Sequence, residues 1–188
     1  MEQEFLEDVV ARLEGAGVVY AITGSIASNL WGIPRTTHDV DVVVILSPPD
    51  VPRVVAAFAD RYYVSAEAAG DAVTQGSMFN VIDYNTSLKA DLWVTKGDPF
   101  SQSMLSRRCR LEIVPGRDAY VGSAENVLLH KLVWHTISPS ERQLADAAGI
   151  AAVQAGRLDV VYLREWAARQ GTGDLLEAVL LGKYLKTT

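Results

Sequence analysis

Tyr20-Ala-Ile-Thr-Gly24-Ser25-Ile-Ala-Ser-Asn-Leu-Trp-Gly32-Ile-Pro34-Arg35-Thr-Thr-His-Asp39-Val-Asp41-Val-Val-Val-Ile45 is the stretch on which the reading of this chain turns. An apolar run of strand length over 18–22 gives way to Gly24-Ser25, where glycine permits a tight turn and close backbone approach. Residues 25–31 then read as a short helix, whose N-terminal N–H groups and dipole favour an anion such as phosphate. Residues 40–46 form a run too apolar to have a solvent face, which predicts a central strand. Asp39 and Asp41 stand two apart there, so both side chains leave one face. Strand interiors are poor in aspartate, and like charges side by side repel, so the pair needs compensation. A divalent cation is the simplest compensation, because Mg²⁺ prefers carboxylate and phosphate oxygens. A third acid, Asp91, has a similar setting between Ala90 and Leu92-Trp93-Val94.

Around this stretch the chain alternates strand and helix signals. Apolar positions at Phe5, Val9, Val10 and Leu13 predict an amphipathic helix over 3–15. Ser47-Pro48-Pro49-Asp50 caps a helix running to about Asp60, and Asp98-Pro99 starts another. Residues 79–83 and 88–94 flank Tyr84-Asn85-Thr86-Ser87 as a hairpin, and 111–114 and 119–121 suit short strands. From Ser123 the pattern is helical, over 124–135, 139–154, 159–169 and 173–185, with Ser138-Pro139-Ser140-Glu141 as a capping box. The expectation is an α/β (α+β) fold: a mixed β-sheet core flanked by helices over 1–121, with a C-terminal helical extension over 122–188.

The 188 residues carry 49% apolar and 21% charged side chains, the balance of an ordinary globular protein. No apolar run approaches the ~18 residues of a membrane span. The acidic, amphipathic start is unlike a signal or transit peptide. Cys109 is the only cysteine, which excludes an internal disulfide framework and a cysteine zinc site. A reducing cytoplasm is the expected location. A net charge of −6 argues against a general nucleic-acid coating. The halves differ, with 6 Lys/Arg against 14 Asp/Glu over 1–98 and 11 against 9 over 99–188, where Arg107-Arg108-Cys109-Arg110 is a basic cluster.

Lys131 shares a mostly apolar helical stripe with Val127, Leu128, Trp134 and His135. It either snorkels past the core or reaches into a cleft toward phosphate. Arg142 and Asp146 are four apart on the next helix, in the weaker orientation for a surface pair. His38 lies beside the carboxylates without a second well-spaced ligand, and His130 and His135, five apart, are wrongly spaced for a zinc pair on one helix face.

The segment Gly24-Ser25-x-Ala27-x(4)-Gly32-x-Pro34-Arg35-x-Thr37-x-Asp39-Val-Asp41 resembles the DNA polymerase β-type nucleotidyltransferase superfamily, and within it the minimal nucleotidyltransferases akin to AbiEii-type toxins. The resemblance covers roughly 18–150. It implies a nucleotidyltransferase core and transfer of a nucleoside monophosphate from an NTP to an acceptor hydroxyl. Asp39, Asp41 and Asp91 would then be catalytic and would hold two Mg²⁺ ions, with Mn²⁺ as the alternative. Gly24, Ser25, Arg35, Lys131, Arg142 and Asp146 would bind the nucleotide. The acceptor would be an RNA such as a tRNA end, a protein hydroxyl or a small molecule, and a toxin role would bring a cognate antitoxin as partner. No residue selects ATP over the other nucleotides. Two other readings stand beside this one: a non-catalytic nucleotide-binding or toxin–antitoxin regulatory protein on the same fold, and an Asp-x-Asp glycosyltransferase, which would leave the Gly-Ser turn unexplained.

Overall fold

The computed structural model describes residues 2–185, so residue 1 and residues 186–188, the extremes of the two predicted regions, lie outside the described residues. The described chain divides into two compact units: one comprises residues 2–23 and 37–121, the other residues 24–36 and 122–185.

The first unit is a mixed seven-stranded sheet with helices. Its elements are α1 (Glu2–Gly15), β1 (Val19–Ile22), β2 (Val40–Ile45), α3 (Val51–Phe58), β3 (Tyr62–Tyr63), α4 (Ala66–Gln75), β4 (Met78–Asp83), β5 (Lys89–Val94), α5 (Pro99–Ser106), β6 (Cys109–Val114) and β7 (Arg117–Val121). The strand order is β3-β4-β5-β2-β1-β7-β6, which puts β2 at the centre as its apolarity requires. β2 runs parallel to β5 and antiparallel to β1. The predicted hairpin is present as β4 and β5, antiparallel.

Two caps act as their sequences suggest. Asp98 accepts from the N–H groups of Phe100 and Ser101 at the start of α5. Ser47 and Asp50 form a capping box, although the first turn, Pro48–Asp50, is a 3₁₀ helix before α3 begins. The sequence reading passed over β3 and α4, which occupy the stretch between the predicted helix ending near Asp60 and the strand at 79.

The second unit is helical: α2 (Gly24–Trp31), α6 (Ala124–Ile137), α7 (Glu141–Val153), α8 (Val160–Gln170) and α9 (Gly173–Leu180). α2 starts on Gly24 with φ +62°, a left-handed conformation that costs little only for glycine. It ends at Trp31, and at the next residue, Gly32, a Cβ would stand 2.8 Å from the Ile150 nitrogen and 3.0 Å from the Gly149 carbon. That close approach seats the end of α2 on α7.

Two boundaries differ from expectation. α9 ends at Leu180 rather than 185, before the left-handed Gly182 (φ +79°). α7 begins at Glu141, so Pro139 lies outside the helix and the Ser140 side chain makes no cap bond. Instead the Ser140 N–H donates to His135 Nδ1 at 3.1 Å, tying the end of α6 to the start of α7. Among the described residues no helix is long and apolar enough to cross a membrane.

Candidate active site

In the sheet unit, β2 and β5 pair with Asp41 directly opposite Asp91. Asp39 immediately precedes β2 and, two residues before Asp41, shares its face. On β5 the same parity aligns Lys89, Asp91 and Trp93, and β4 adds Asn80 opposite Asp91. Further along this face the chemistry turns apolar: Val43 and Ala21 are buried with Met104 and Leu105 of α5, and Trp93 packs against them. One sheet face therefore carries carboxylates at the entry to β2 and β5 and core beyond.

These carboxylates differ in exposure. The Asp39 side chain is 62% exposed, that of Asp91 only 11%. Asp91 is correspondingly well partnered. Asn80 Nδ2 donates to its Oδ1 at 2.6 Å, and the Lys89 ammonium lies 3.2 Å from Oδ1 and 3.0 Å from Oδ2. The same ammonium is 3.8 Å from Asp39. Trp93 Nε1 donates to Asp41 Oδ1 at 3.3 Å. Hydrogen bonding to Asp91 raises the Lys89 pKa, and the charges of Asp39 and Asp41 add to this against partial burial.

The donor set fits a divalent cation in part. Asp39 is exposed and Asp41 half-buried, and both offer the hard carboxylate oxygens that Mg²⁺ prefers, while the Lys89 ammonium lies 3.8 Å from Asp39. Asp91 is committed to Lys89 and Asn80. Among the described residues no three His, Cys, Asp or Glu side chains are gathered as a metal-holding cluster.

In the helical unit, Asn29 clamps the Arg35 backbone from both sides, donating to its carbonyl at 2.7 Å and accepting from its N–H at 3.0 Å. The guanidinium then grips Asp146 with Nε and Nη2, each at 2.8 Å, in the bidentate geometry that makes such pairs strong. Nη2 also donates to Ser25 Oγ at 2.6 Å, at the start of α2. From α6, Lys131 Nζ reaches Asp146 Oδ2 at 2.8 Å. Burial favours the neutral form of Asp146, but Arg35 and Lys131 outweigh it and hold the carboxyl below its ordinary pKa.

Ser25, Arg35, Lys131 and Asp146 thus form one network, with Lys131 and Asp146 only 5% and 6% exposed at their side chains. Lys131 neither snorkels to solvent nor lies open to a cleft; it ends on Asp146. Arg142 is exposed in the first turn of α7, and Asp146 pairs with Arg35 and Lys131 instead. His38 pairs with Glu2 at 2.5 Å on the surface. In the basic cluster, Arg108 and Arg110 place their guanidiniums 4.5 Å and 5.1 Å from the Tyr120 ring centre.

Sequence reasoning missed Lys89, Asn80 and Trp93. Lys89-x-Asp91-x-Trp93 alternates on one strand, so the shared face was available as a signal. Asn80 needed the strand register.

No protein-family model matches this chain, and no curated protein matches it by sequence. Solved structures do match by fold. A nucleotidyltransferase-like antigenic protein from Paracoccidioides brasiliensis is 16% identical with a TM-score of 0.58, over 99% of this chain and 94% of its own. ANT(2″)-Ia, solved in complex with adenylyl-2″-tobramycin, is 12% identical with a TM-score of 0.60, over 90% of this chain and 98% of its own. A Thermotoga maritima protein described as a nucleotidyltransferase is 16% identical with a TM-score of 0.50, over 88% of this chain and 92% of its own. At these identities what the likenesses carry is architecture: the chain has a nucleotidyltransferase-like fold.

Proposed function

We propose that the protein is a divalent-cation-dependent nucleotidyltransferase that moves a nucleoside monophosphate from an NTP to a hydroxyl acceptor. The observation that carries this reading is the carboxylate face: Asp41 in register with Asp91 on adjacent parallel strands, with Asp39 on the same side. Three acids gathered on one sheet face suit a cationic ligand, and the fold is one that nucleotidyltransferases use. When bound, the cation supplies Lewis acidity, neutralising phosphate charge and lowering the pKa of the attacking hydroxyl.

The rest falls to the chain's own groups. Asp39 and Asp41 hold the cation. Asp91 lies opposite Asp41 and takes the proton of the acceptor hydroxyl once the Lys89 ammonium withdraws from it. Gly24 and Ser25 bind phosphate through the start of α2. Arg35 holds Ser25 Oγ in place, and the Arg35–Asp146–Lys131 network supports it from behind. Positioning and charge stabilisation then carry the catalysis, with little covalent work for the protein.

Incubation with each NTP labelled at the α-phosphate, Mg²⁺ and acceptors that include tRNA and an aminoglycoside tests the reading. Label transfer that is lost in Asp41→Asn supports it; undiminished transfer in the folded variant contradicts it. ANT(2″)-Ia puts a small-molecule hydroxyl among the acceptors to try. The basic cluster Arg107-Arg108-Cys109-Arg110 is the reason to try RNA as well. The toxin-like role has its own test: expression should arrest growth, and Asp41→Asn should relieve the arrest.

A further inference from the structure

We infer that β6, the open edge of the sheet, pairs antiparallel with β6 of a second copy of this chain, about a two-fold axis through Leu111. β6 spans Cys109–Val114 and pairs with β7, and among the described residues no strand lies beyond it in the sheet. An edge of this kind presents a row of backbone N–H and C=O groups, which is a template for another strand. The opposite edge, β3, is two residues long and offers no comparable template.

The side chains of β6 fit a reversed copy of the same strand. With Leu111 opposite the partner's Leu111, Arg110 stands opposite the partner's Glu112 and Glu112 opposite the partner's Arg110. Two cross-strand ion pairs then form on one face. Residues paired across this axis share parity, so the hydrogen-bonding phases of the two edges agree. The nearest slips that keep the phase are of two residues. They set Arg110 against Arg110 or Glu112 against Glu112, and like charges directly opposite are destabilising.

Within one chain both groups stand to gain from such a pairing. Glu112 faces a like charge, Asp118, across β7, and its Oε1 accepts the Gly116 N–H at 2.7 Å. Arg110 is 49% exposed at its side chain and 4.0 Å from Glu14, which Arg117 already holds at 2.8 Å. On the other face Leu111 is half-buried, and the partner's Leu111 would cover it. Edge charges ordinarily discourage pairing; here opposite signs two residues apart favour the one register. The irregularity between Glu112 and Val114 ends regular pairing beyond that segment. The contact is isologous and therefore closed, so it yields a dimer and not a fibre.

The test is sedimentation velocity of the full chain over a concentration series, with charge reversals at the two positions. Wild type should show a monomer–dimer equilibrium. Arg110→Glu and Glu112→Arg should each weaken the dimer by about tenfold or more, because both cross-strand pairs turn repulsive. Combining the two substitutions should restore it. A wild type that stays monomeric, or a dimer that the single reversals leave unchanged, would overturn the inference. Oxidation reads the register independently. Leu111→Cys in a Cys109→Ser background should form a disulfide-linked dimer, since opposed Cα atoms ~4.5–5.5 Å apart are within disulfide reach. Wild type should not, because four residues along the strand put the two Cys109 side chains about 13 Å apart. No cross-link at 111, or an efficient one through Cys109, would overturn the inference even where a charge reversal fails to fold.

Discussion

Asp146 and Asp39 mark the extremes of how this molecule treats a carboxylate. Asp146, in the helical unit, is 6% exposed at its side chain and held by Arg35 and Lys131. Asp39, in the sheet unit, is 62% exposed, with the Lys89 ammonium 3.8 Å away. In the helical network Arg35 and Lys131 meet on one carboxylate; on the sheet face the Lys89 ammonium meets Asp91 at 3.0 Å and Asp39 at 3.8 Å. One group is closed and internally bonded, and through Arg35 it holds Ser25 at the start of α2. The other keeps Asp39 open to water, where it is free to meet a ligand. Location in a dry or wet environment, more than residue type, decides which acid is architecture and which is chemistry.

If that contrast is right, the helical network should govern stability. Asp146→Asn would leave Arg35 and Lys131 without their carboxylate, and breaking a buried pair in this way costs about 3–5 kcal/mol. Urea unfolding should show that loss; a change below about 1 kcal/mol would mean the network is solvated in solution.

The pH dependence sharpens the same point. The folded-state pKa of Asp146 is depressed, so its contribution is fully present above the unfolded carboxylate value near ~3.9 and fades as pH falls through the folded value. The gap in melting temperature between wild type and Asp146→Asn should therefore be constant near neutrality and narrow below about pH 4. A gap that persists in stronger acid would locate the effect elsewhere.

Gly24→Ala should cost about 1–2 kcal/mol, because φ +62° forces a side chain into the left-handed region. Unchanged stability would indicate that the turn relaxes. At the bottom of the scale, exposed Arg142→Ala should stay within about 0.5 kcal/mol of wild type. A larger effect would bring Arg142 back into the network.

Much of this was legible in the sequence because it was local. The turn at Gly24-Ser25, the apolar β2, the Asp98-Pro99 cap and the hairpin of β4 and β5 each declare themselves within a few residues. α4 did not, since its buried positions, Ala69 and Ala72, are alanines that give a weak hydrophobic period. At Ser138-Pro139-Ser140-Glu141 the capping pattern was real in sequence, but the His135 ring took the Ser140 N–H and the helix began later. The partners of Asp146 were beyond local reading. Arg35 lies 111 positions away, while the apparent partner four residues back, Arg142, faces water. Lys89 was missed for a different reason: attention to acids as metal ligands passed over the cation standing two residues from one of them.

The central claim is that the exposed carboxylates of the sheet unit recruit a cation and a nucleotide. The most direct measurement is the melting temperature with each NTP, with and without Mg²⁺, for wild type and Asp39→Asn. At about 100 times its Kd a ligand stabilises the native state by about 2.7 kcal/mol, which gives a clear upward shift. The account predicts a Mg²⁺-dependent shift with at least one NTP in wild type and its loss in Asp39→Asn. The same shift in both proteins, or none with any NTP, would contradict it.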